Sequence, residues 1–376
     1  MKHLIKLLAL LALTMPLGAA DPAIDTIVGD NRYTDVTTEG AVWDGNVLNI
    51  GSDTGAYVVY VNNLLIRGDL APDNAVINFV HANPDGILFG TGSPGAGLIF
   101  DERSDRPLTI NAVGPGRGIQ YWGWGFTIYQ NSTDAVLTIN SDFDGCGAGA
   151  ATLTKWGAGT LVWNGNGTRS NIHVQEGTLI WTGETSYIIY EGDGLPYYGG
   201  LIRVEAGATL IASGVSRTAS VNPSTGLNVS GTLYARGLTT EIGASYIKDG
   251  ATLRVDFSLG SPALIANTMT YFMDDVTLDI QNIATGSMTV LDGLYSLGYT
   301  GANNGFANVT LGGSMGTEVD LSGKYDLVSL DGLWGLNVIY GANSIVVNAE
   351  FIPEPTTWAL MVGGLGALAL LRRRRS

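Results

Sequence analysis

Residues that usually carry chemistry are scarce in this chain. It has one cysteine and three histidines in 376 residues, and only 14% of its residues are charged. Cys146 stands alone, which excludes an intrachain disulfide and leaves a fold of this size to be held by its core. An intermolecular bridge or thiol chemistry remains open to that side chain. His81 and His173 fall in no H-x-x-x-H or H-E-x-x-H spacing, which argues for surface or turn positions over a histidine-based metal site. Gly157-x-Gly159 lacks a third phosphate-loop glycine and a following helix, so it reads as a turn and no cofactor is expected. Helical stripes are missing everywhere except at the two ends. Positive charge is short as well: with Lys2, Lys6 and the four terminal arginines set aside, 13 basic residues face 34 acidic ones, a balance of −21. Such a surface repels nucleic acid and anionic lipid, stays in solution, and collects divalent cations only weakly.

What is abundant is glycine, with 53 residues, and apolar side chains, at 45%. The apolar fraction excludes disorder throughout, and the length suits one large domain or two smaller ones. Apolar and small polar residues alternate in AVLTINSDF (135–143), GTLVWNG (159–165), NIHVQEGTLIWTG (171–183), GLIRVEAGATLIASG (200–214), LNVSGTLYARG (227–237) and DGATLRVDFSLG (249–260). Period two, with β-branched and aromatic residues between Gly, Asn or Ser breaks, predicts short strands and tight turns.

The turns repeat. Gly159-Thr-Leu161, Gly177-Thr-Leu179, Gly207-Ala-Thr-Leu210, Gly231-Thr-Leu233 and Gly250-Ala-Thr-Leu253 begin at intervals of 18, 30, 24 and 19 residues. A glycine free to take positive φ turns the chain, and the next strand opens with a leucine aimed at one face. Units of this kind cannot bury their apolar face alone, so the pattern predicts stacked coils sharing a continuous core. An antiparallel sandwich with coincidental G-T-L turns is the alternative.

The ends differ from the body. MKHLIKLLALLALTMPLGAAD opens with Lys2 and Lys6, runs apolar over residues 7–13, and offers Gly18 and Ala20 at −3 and −1 of a cut before Asp21. That is the pattern of a cleaved secretory signal, with an uncleaved N-terminal anchor as the alternative. The last segment, FIPEPTTWALMVGGLGALALLRRRRS, joins Pro353, Glu354 and Pro355 to fourteen uncharged residues, 358–371, and then to Arg372, Arg373, Arg374 and Arg375. As a helix those fourteen residues cover about 21 Å, short of the roughly 30 Å hydrocarbon core, so a single transmembrane helix here is minimal. With the body exported, the arginines are expected on the cytoplasmic side. Pro355 suits the first turn of that helix, and the extended residues before it are open to a protease.

The order Pro353-Glu354-Pro355, Thr-Thr-Trp-Ala-Leu, short apolar helix and Arg run closely resembles the PEP-CTERM sorting tail of exported bacterial proteins. The resemblance covers about the last 25 residues and implies an exosortase-like processing enzyme as partner, together with the secretion machinery. It further implies membrane contact through the tail before processing, then deposition at the cell surface or in an extracellular matrix, where exopolysaccharide is a candidate neighbour. LTKWGAGTLVWNGNGTRSNIHVQEGTLIWTG, residues 153–183, resembles the autotransporter-associated β-strand repeat. Leu153, Lys155, Gly157, Gly159, Thr160 and Leu161 match its first half, and Gly177, Thr178 and Leu179 its second. That resemblance implies a right-handed parallel β-helix. The tail follows the β-rich body directly at Ile352, so no ten-residue amphipathic strands of an outer-membrane barrel are expected between them, and the likeness does not imply self-secretion.

Three internal stretches invite a site. Asp101-Glu-Arg-Ser-Asp-Arg106 is a dense charged run in a charge-poor chain; paired carboxylates or an arginine there could act on uronic sugars as in polysaccharide lyases and hydrolases, although Pro107 and a new strand after it read as an exposed loop. Asp142-Phe-Asp144-Gly145 has part of a calcium loop but lacks its remaining ligands, so solvated turn carboxylates are expected. In Tyr121-Trp-Gly-Trp-Gly-Phe126, an extended strand would put Trp122, Trp124 and Phe126 on one face, either to stack on sugar rings or to fill a core. Tyr187, Tyr190, Tyr197 and Tyr198 raise the same question with less pattern. Asn131, Asn166, Asn228 and Asn308 lie in N-x-S/T sequons of a kind that chance supplies in such a composition.

The sequence therefore predicts an all-β protein. Residues 1–20 are a signal peptide, 21–150 a β-rich region continuous with the solenoid, 151–260 a right-handed parallel β-helix with G-(A)-T-L coils, 261–350 a β-rich region and cap, and 352–376 the sorting tail with a transmembrane helix. The expected role is that of a non-catalytic structural protein of the cell surface or matrix, without metal, cofactor or nucleic acid. Polysaccharide binding is the alternative, followed by a glycan lyase or hydrolase.

Overall fold

The computed structural model describes residues 24–25, 44–52, 59–61, 63–66, 71–81, 87–89, 97–113, 118–122, 125–146, 151–168, 170–186, 201–217, 226–242, 244–259, 262–298, 306–311, 314–315, 327–328, 334–351 and 355–373. The central coils each lay one strand on each of three faces. One coil consists of Ala151–Trp156, Thr160–Trp163 and Gly167–Thr168. The next repeats it with Ser170–Val174, Thr178–Trp181 and Glu184–Ser186. Every strand of the first coil pairs in parallel with its counterpart in the second.

The middle strands of the coils form a 12-stranded sheet, the front face. Its rungs pair in parallel from Val47–Ser52 to Asn308–Leu311, and Ser314–Met315 closes it antiparallel. The first strands of the coils make a second face and the last strands a third. Both belong to one 22-stranded sheet, because the long strand Leu264–Phe272 pairs with Leu238–Ile242 of the third face and with Ser245–Ile247 of the second.

The G-(A)-T-L units account for the front face. Leu161, Leu179, Leu210, Leu233 and Leu253 stand opposite one another in successive rungs, with Thr160, Thr178, Thr209, Thr232 and Thr252 in register beside them. Each leucine is at most 1% exposed. Alternation along a strand sends leucine inward and threonine outward, and burial of each leucine stabilises the stack by roughly 2 kcal/mol. The unequal spacing of the units is absorbed between strands: Glu184–Ser186 and Ile202–Val204 flank the longest interval, yet Leu179 and Leu210 remain in register. Register beyond Gly183 is thus continuous with that before it.

Aromatic rings thread the interior of the central coils. Phe126 tilts against Phe143 at 6.0 Å, Phe143 meets Trp163 edge-on at 5.1 Å, and Trp163 stacks on Trp181 at 6.0 Å. The indole N–H groups of Trp163 and Trp181 donate to the carbonyls of Ser141 and Gly165 at the corner that follows the front face. That corner needs glycine: a Cβ on Gly183 would lie 1.8 Å from the Gly165 carbonyl oxygen. At the turn before the front face, Gly177 takes φ +66°, the left-handed conformation that favours glycine.

Parallel pairing ends at Gly286–Leu297, which takes Ser344–Phe351 antiparallel, and this strand in turn pairs with Trp334–Tyr340. Val338, Ile345 and Val347 bury their side chains in that end. The architecture is mostly β, with long parallel sheets consistent with a β-solenoid. A sandwich would instead carry antiparallel ladders on its faces. The expected transmembrane helix requires correction: Pro355–Arg373 is helical, yet among the described residues no helix is long and apolar enough to cross a membrane. The reason is composition. Its 19 residues include a proline, two threonines and two arginines, leaving an apolar run too short for a hydrocarbon core.

Candidate functional site

The tail places Pro355 at the first position of its helix and Arg372 and Arg373 in the last turn, where cations complement the helix dipole. Leu360, Val362, Leu365 and Leu368 are each at least 64% exposed, so the helix presents apolar side chains to its surroundings. Pro353, Glu354, Arg374 and Arg375 lie outside the described residues, as do residues 1–20 of the expected signal.

Of the two readings for Trp122, Trp124 and Phe126, sugar stacking or core filling, only Phe126 can be placed. Ile119–Trp122 belongs to the third face and Phe126–Gln130 to the second, with Gly125 at φ +137° just before the latter. Phe126 is 1% exposed and packs on Phe143, so it serves the core. Trp122 pairs through its backbone with Cys146, but the side chains of both lie outside the described set, as does all of Trp124 and Tyr187, Tyr190, Tyr197 and Tyr198. The structure exposes a different aromatic pair, Tyr129 and Trp156, on the second face.

The charged hexapeptide folds onto itself. Arg103 Nε and Nη2 donate to the two carboxylate oxygens of Asp101 at 2.6 and 2.8 Å. Arg106 Nη1 donates to the Ala71 carbonyl at 2.7 Å and pairs with Asp73 at 3.3 Å, tying the turn to the preceding coil. Ser104 is buried and its carbonyl accepts from Ser132 Oγ, tying it to the following coil. Asp142 is exposed and accepts the Asn166 backbone N–H at 2.7 Å, while Asp144 is buried. Among the described residues no group of three or more His, Cys, Asp or Glu side chains could hold a metal ion. His81 ends the strand Ala75–His81, opposite Ser52, and its side chain is outside the described set. Of the sequon asparagines, Asn166 accepts the Glu184 N–H at 2.9 Å, and Asn228 and Asn308 sit within rungs.

The most unusual side chain is one the sequence marks only as a repeat position. Lys155 is 1% exposed and stands in an inward column between Ile128 and Val174. Its ammonium donates to the carbonyls of Trp156, Gly157 and Glu176, at 3.3, 2.5 and 2.8 Å. Burial pushes its pKa down to about 8, against the opposing pull of the Glu176 charge. It therefore remains a cation at neutral pH and clamps the turns of two consecutive coils. An inward polar residue breaks the alternation by which strands are read, which is why its task is invisible in the sequence.

Two outward arrangements line the front face. In the first coils, Asn49, Asn78, Asn111, Asn140 and Asn164 form an amide ladder, each donating Nδ2 to Oδ1 of the preceding one at 2.8 to 3.0 Å. In two later coils, carboxylates anchor the outward side: Asp256 at the position of the ladder asparagines and Asp279 on the next rung opposite Arg254. Asp256 accepts from the Tyr234 hydroxyl at 2.5 Å, Asn282 Nδ2 at 2.8 Å, and the Ser258 N–H and Oγ at 2.8 and 2.6 Å. Asp279, 2% exposed, accepts from Arg254 Nε at 2.7 Å, Gln281 Nε2 at 2.9 Å and Thr310 Oγ1 at 2.8 Å. Burial would raise the Asp256 pKa, but hydrogen bonds from Ser258, Tyr234 and Asn282 outweigh it and hold the carboxyl at about 2. Burial, then the bond to Asp256, pushes the Tyr234 phenol up to about 12. Near neutral pH this pair neither gains nor loses a proton, so the cluster is arranged to hold coils together and is poorly suited to acid–base chemistry.

No family model matches the chain, and no curated protein or solved structure matches it either.

Proposed function

We propose that this chain is an exported, non-catalytic rod of the cell surface or extracellular matrix, a right-handed parallel β-helix delivered through its C-terminal sorting tail. The observation that carries the reading is the continuous inward leucine column of the front face, in register across successive coils of unequal length. A stack of this kind gains length by adding coils and puts its outward side chains at regular intervals of about 4.8 Å, properties suited to a spacer or matrix element. The right hand follows from the strong preference of parallel crossover connections for that sense. Internal pairing of the charged clusters supports a structural role for them. The exposed apolar side chains of the terminal helix support its reading as an address that a membrane-embedded, exosortase-like enzyme recognises.

Intact-mass measurement on the protein from its native cell tests the reading. It predicts a species lacking residues 1–20 and cut near Pro353-Glu354-Pro355, recovered from the surface or matrix fraction. A full-length chain recovered only from inside the cell would overturn it.

A further inference from the structure

Tyr129 is 37% and Trp156 43% exposed, and they stand opposite each other in the adjacent strands Phe126–Gln130 and Ala151–Trp156. Both point outward from the second face, because their neighbours Ile128 and Lys155 point inward and are buried. Gly97 of the preceding coil lies beside the Tyr129 ring, and a Cβ there would press on the Thr127 carbonyl oxygen at 2.9 Å. Among the described residues neither the Tyr129 hydroxyl nor the Trp156 indole N–H has a hydrogen-bond partner.

Polar side chains continue this face into the next two coils. Thr154, His173 and Arg203 stand in register. Glu205 accepts from Arg203 Nε at 2.6 Å and meets His173 Nε2 at 2.9 Å, while Gln175 Nε2 meets His173 Nδ1 at 3.1 Å. Burial would raise the Glu205 pKa, but the hydrogen bond from His173 and the charge of Arg203 hold it below its usual value. The polar row is thereby held in one orientation beside the rings.

We infer that Tyr129 and Trp156 form a stacking platform for an uncharged, pyranose-containing polysaccharide, with Gln175 Oε1 placed to accept from its hydroxyls and His173 holding Gln175 in that orientation. The match is chemical: sugar rings present apolar C–H faces and a polar edge, and this surface presents aromatic rings bordered by fixed donors and acceptors. Area separates this occupant from a protein. Two rings of roughly 150 to 250 Å² each, less than half exposed, offer far below the ~800 Å² per partner of a stable protein interface. Charge separates it from an anionic polymer, since the excess of acidic residues repels one. The inference deepens the matrix role, yet it concerns a surface whose binding is measured in solution, independent of where the cell delivers the chain.

Affinity electrophoresis of the full chain through gels containing hydroxyethylcellulose, galactomannan or soluble starch tests it. At least one of these is expected to retard the chain, and Trp156→Ala and Tyr129→Ala should each weaken that binding roughly tenfold. Their circular dichroism should match the parent, and Thr109→Ala on the front face should bind as the parent does. The platform is wrong if none of the three polymers retards the parent chain or if both ring variants bind as it does. It is equally wrong if only a polyuronate is bound, or if the ring variants instead abolish self-association. Delivery to the wrong compartment would sink the export reading while leaving these results intact.

Discussion

The two halves of the front face solve one problem in different ways. The position after the second inward residue of a rung is Asn140 in one coil, behind Ile139, and Asp256 in another, behind Val255. In the early coils that position is filled by asparagines that bond to each other, so the ladder repeats one neutral contact. In a later coil it is filled by the Asp256 carboxylate, which takes one donor from each neighbouring coil, Tyr234 and Asn282, and two from Ser258 of its own coil. The backbone register is the same in both halves, and the inward positions stay apolar while the outward side chains change chemistry. Divergence has a consequence for conditions: of these two outward devices, only the later one depends on charge.

A frame shared by both halves gives the largest effect. Gly183→Val puts side-chain atoms where the Gly165 carbonyl lies and should destabilise the stack by about 4 kcal/mol, read as a lowered thermal midpoint. An unchanged midpoint would mean that the corners are not packed as described. Asp279→Ala comes next, at about 3 kcal/mol, because it strands the Arg254 guanidinium together with Gln281 and Thr310. Local hydrogen exchange should rise around residues 254–310 and stay near parental levels around residues 108–140.

Acid gives a smaller loss, confined to the later half. The Asp256 carboxyl has a folded pKa of about 2, below the ordinary 3.8, so the folded state favours its ionised form. Its contribution is complete above about pH 4 and disappears as pH falls toward 2, a loss of about 1 to 2 kcal/mol. Exchange measured between pH 4.5 and 2.5 should show the later coils loosening first; uniform loosening would remove the contrast. Smallest is Asn111→Ala, which breaks one part-buried and one exposed amide contact and should cost about 0.5 to 1 kcal/mol, with no dependence on salt. A salt-dependent loss would show that the amide ladder is not a purely neutral device.

Much of this fold is legible in the sequence, and for a physical reason. Leu161, Leu179, Leu210, Leu233 and Leu253 each open a rung after a turn, so local pattern and tertiary register coincide. Before the first G-T-L unit, rungs such as Leu108–Val113 and Leu137–Asn140 lack that turn and show only alternation, which does not distinguish parallel from antiparallel pairing. Lys155 escapes because an inward lysine contradicts the rule that reads strands; only the carbonyls converging from Gly157 and Glu176 explain it. The aromatic run leaves stacking and core filling open because its period does not show that Trp122 and Phe126 fall on different faces, while Tyr129 and Trp156, 27 residues apart, become neighbours only through coil pairing. Spacing in sequence does not reveal which outward residues meet across rungs.

A distance series between spin labels measures the coil stack most directly. In a Cys146→Ser background, one label at Thr160 is paired in turn with a label at Thr178, Thr209, Thr232, Thr252 or Thr277, positions that lie on successive rungs. A parallel ladder predicts separations that grow steadily by about 4.8 Å per rung, regardless of how many residues intervene. Separations that plateau, reverse, or follow residue number in place of rung number would contradict it.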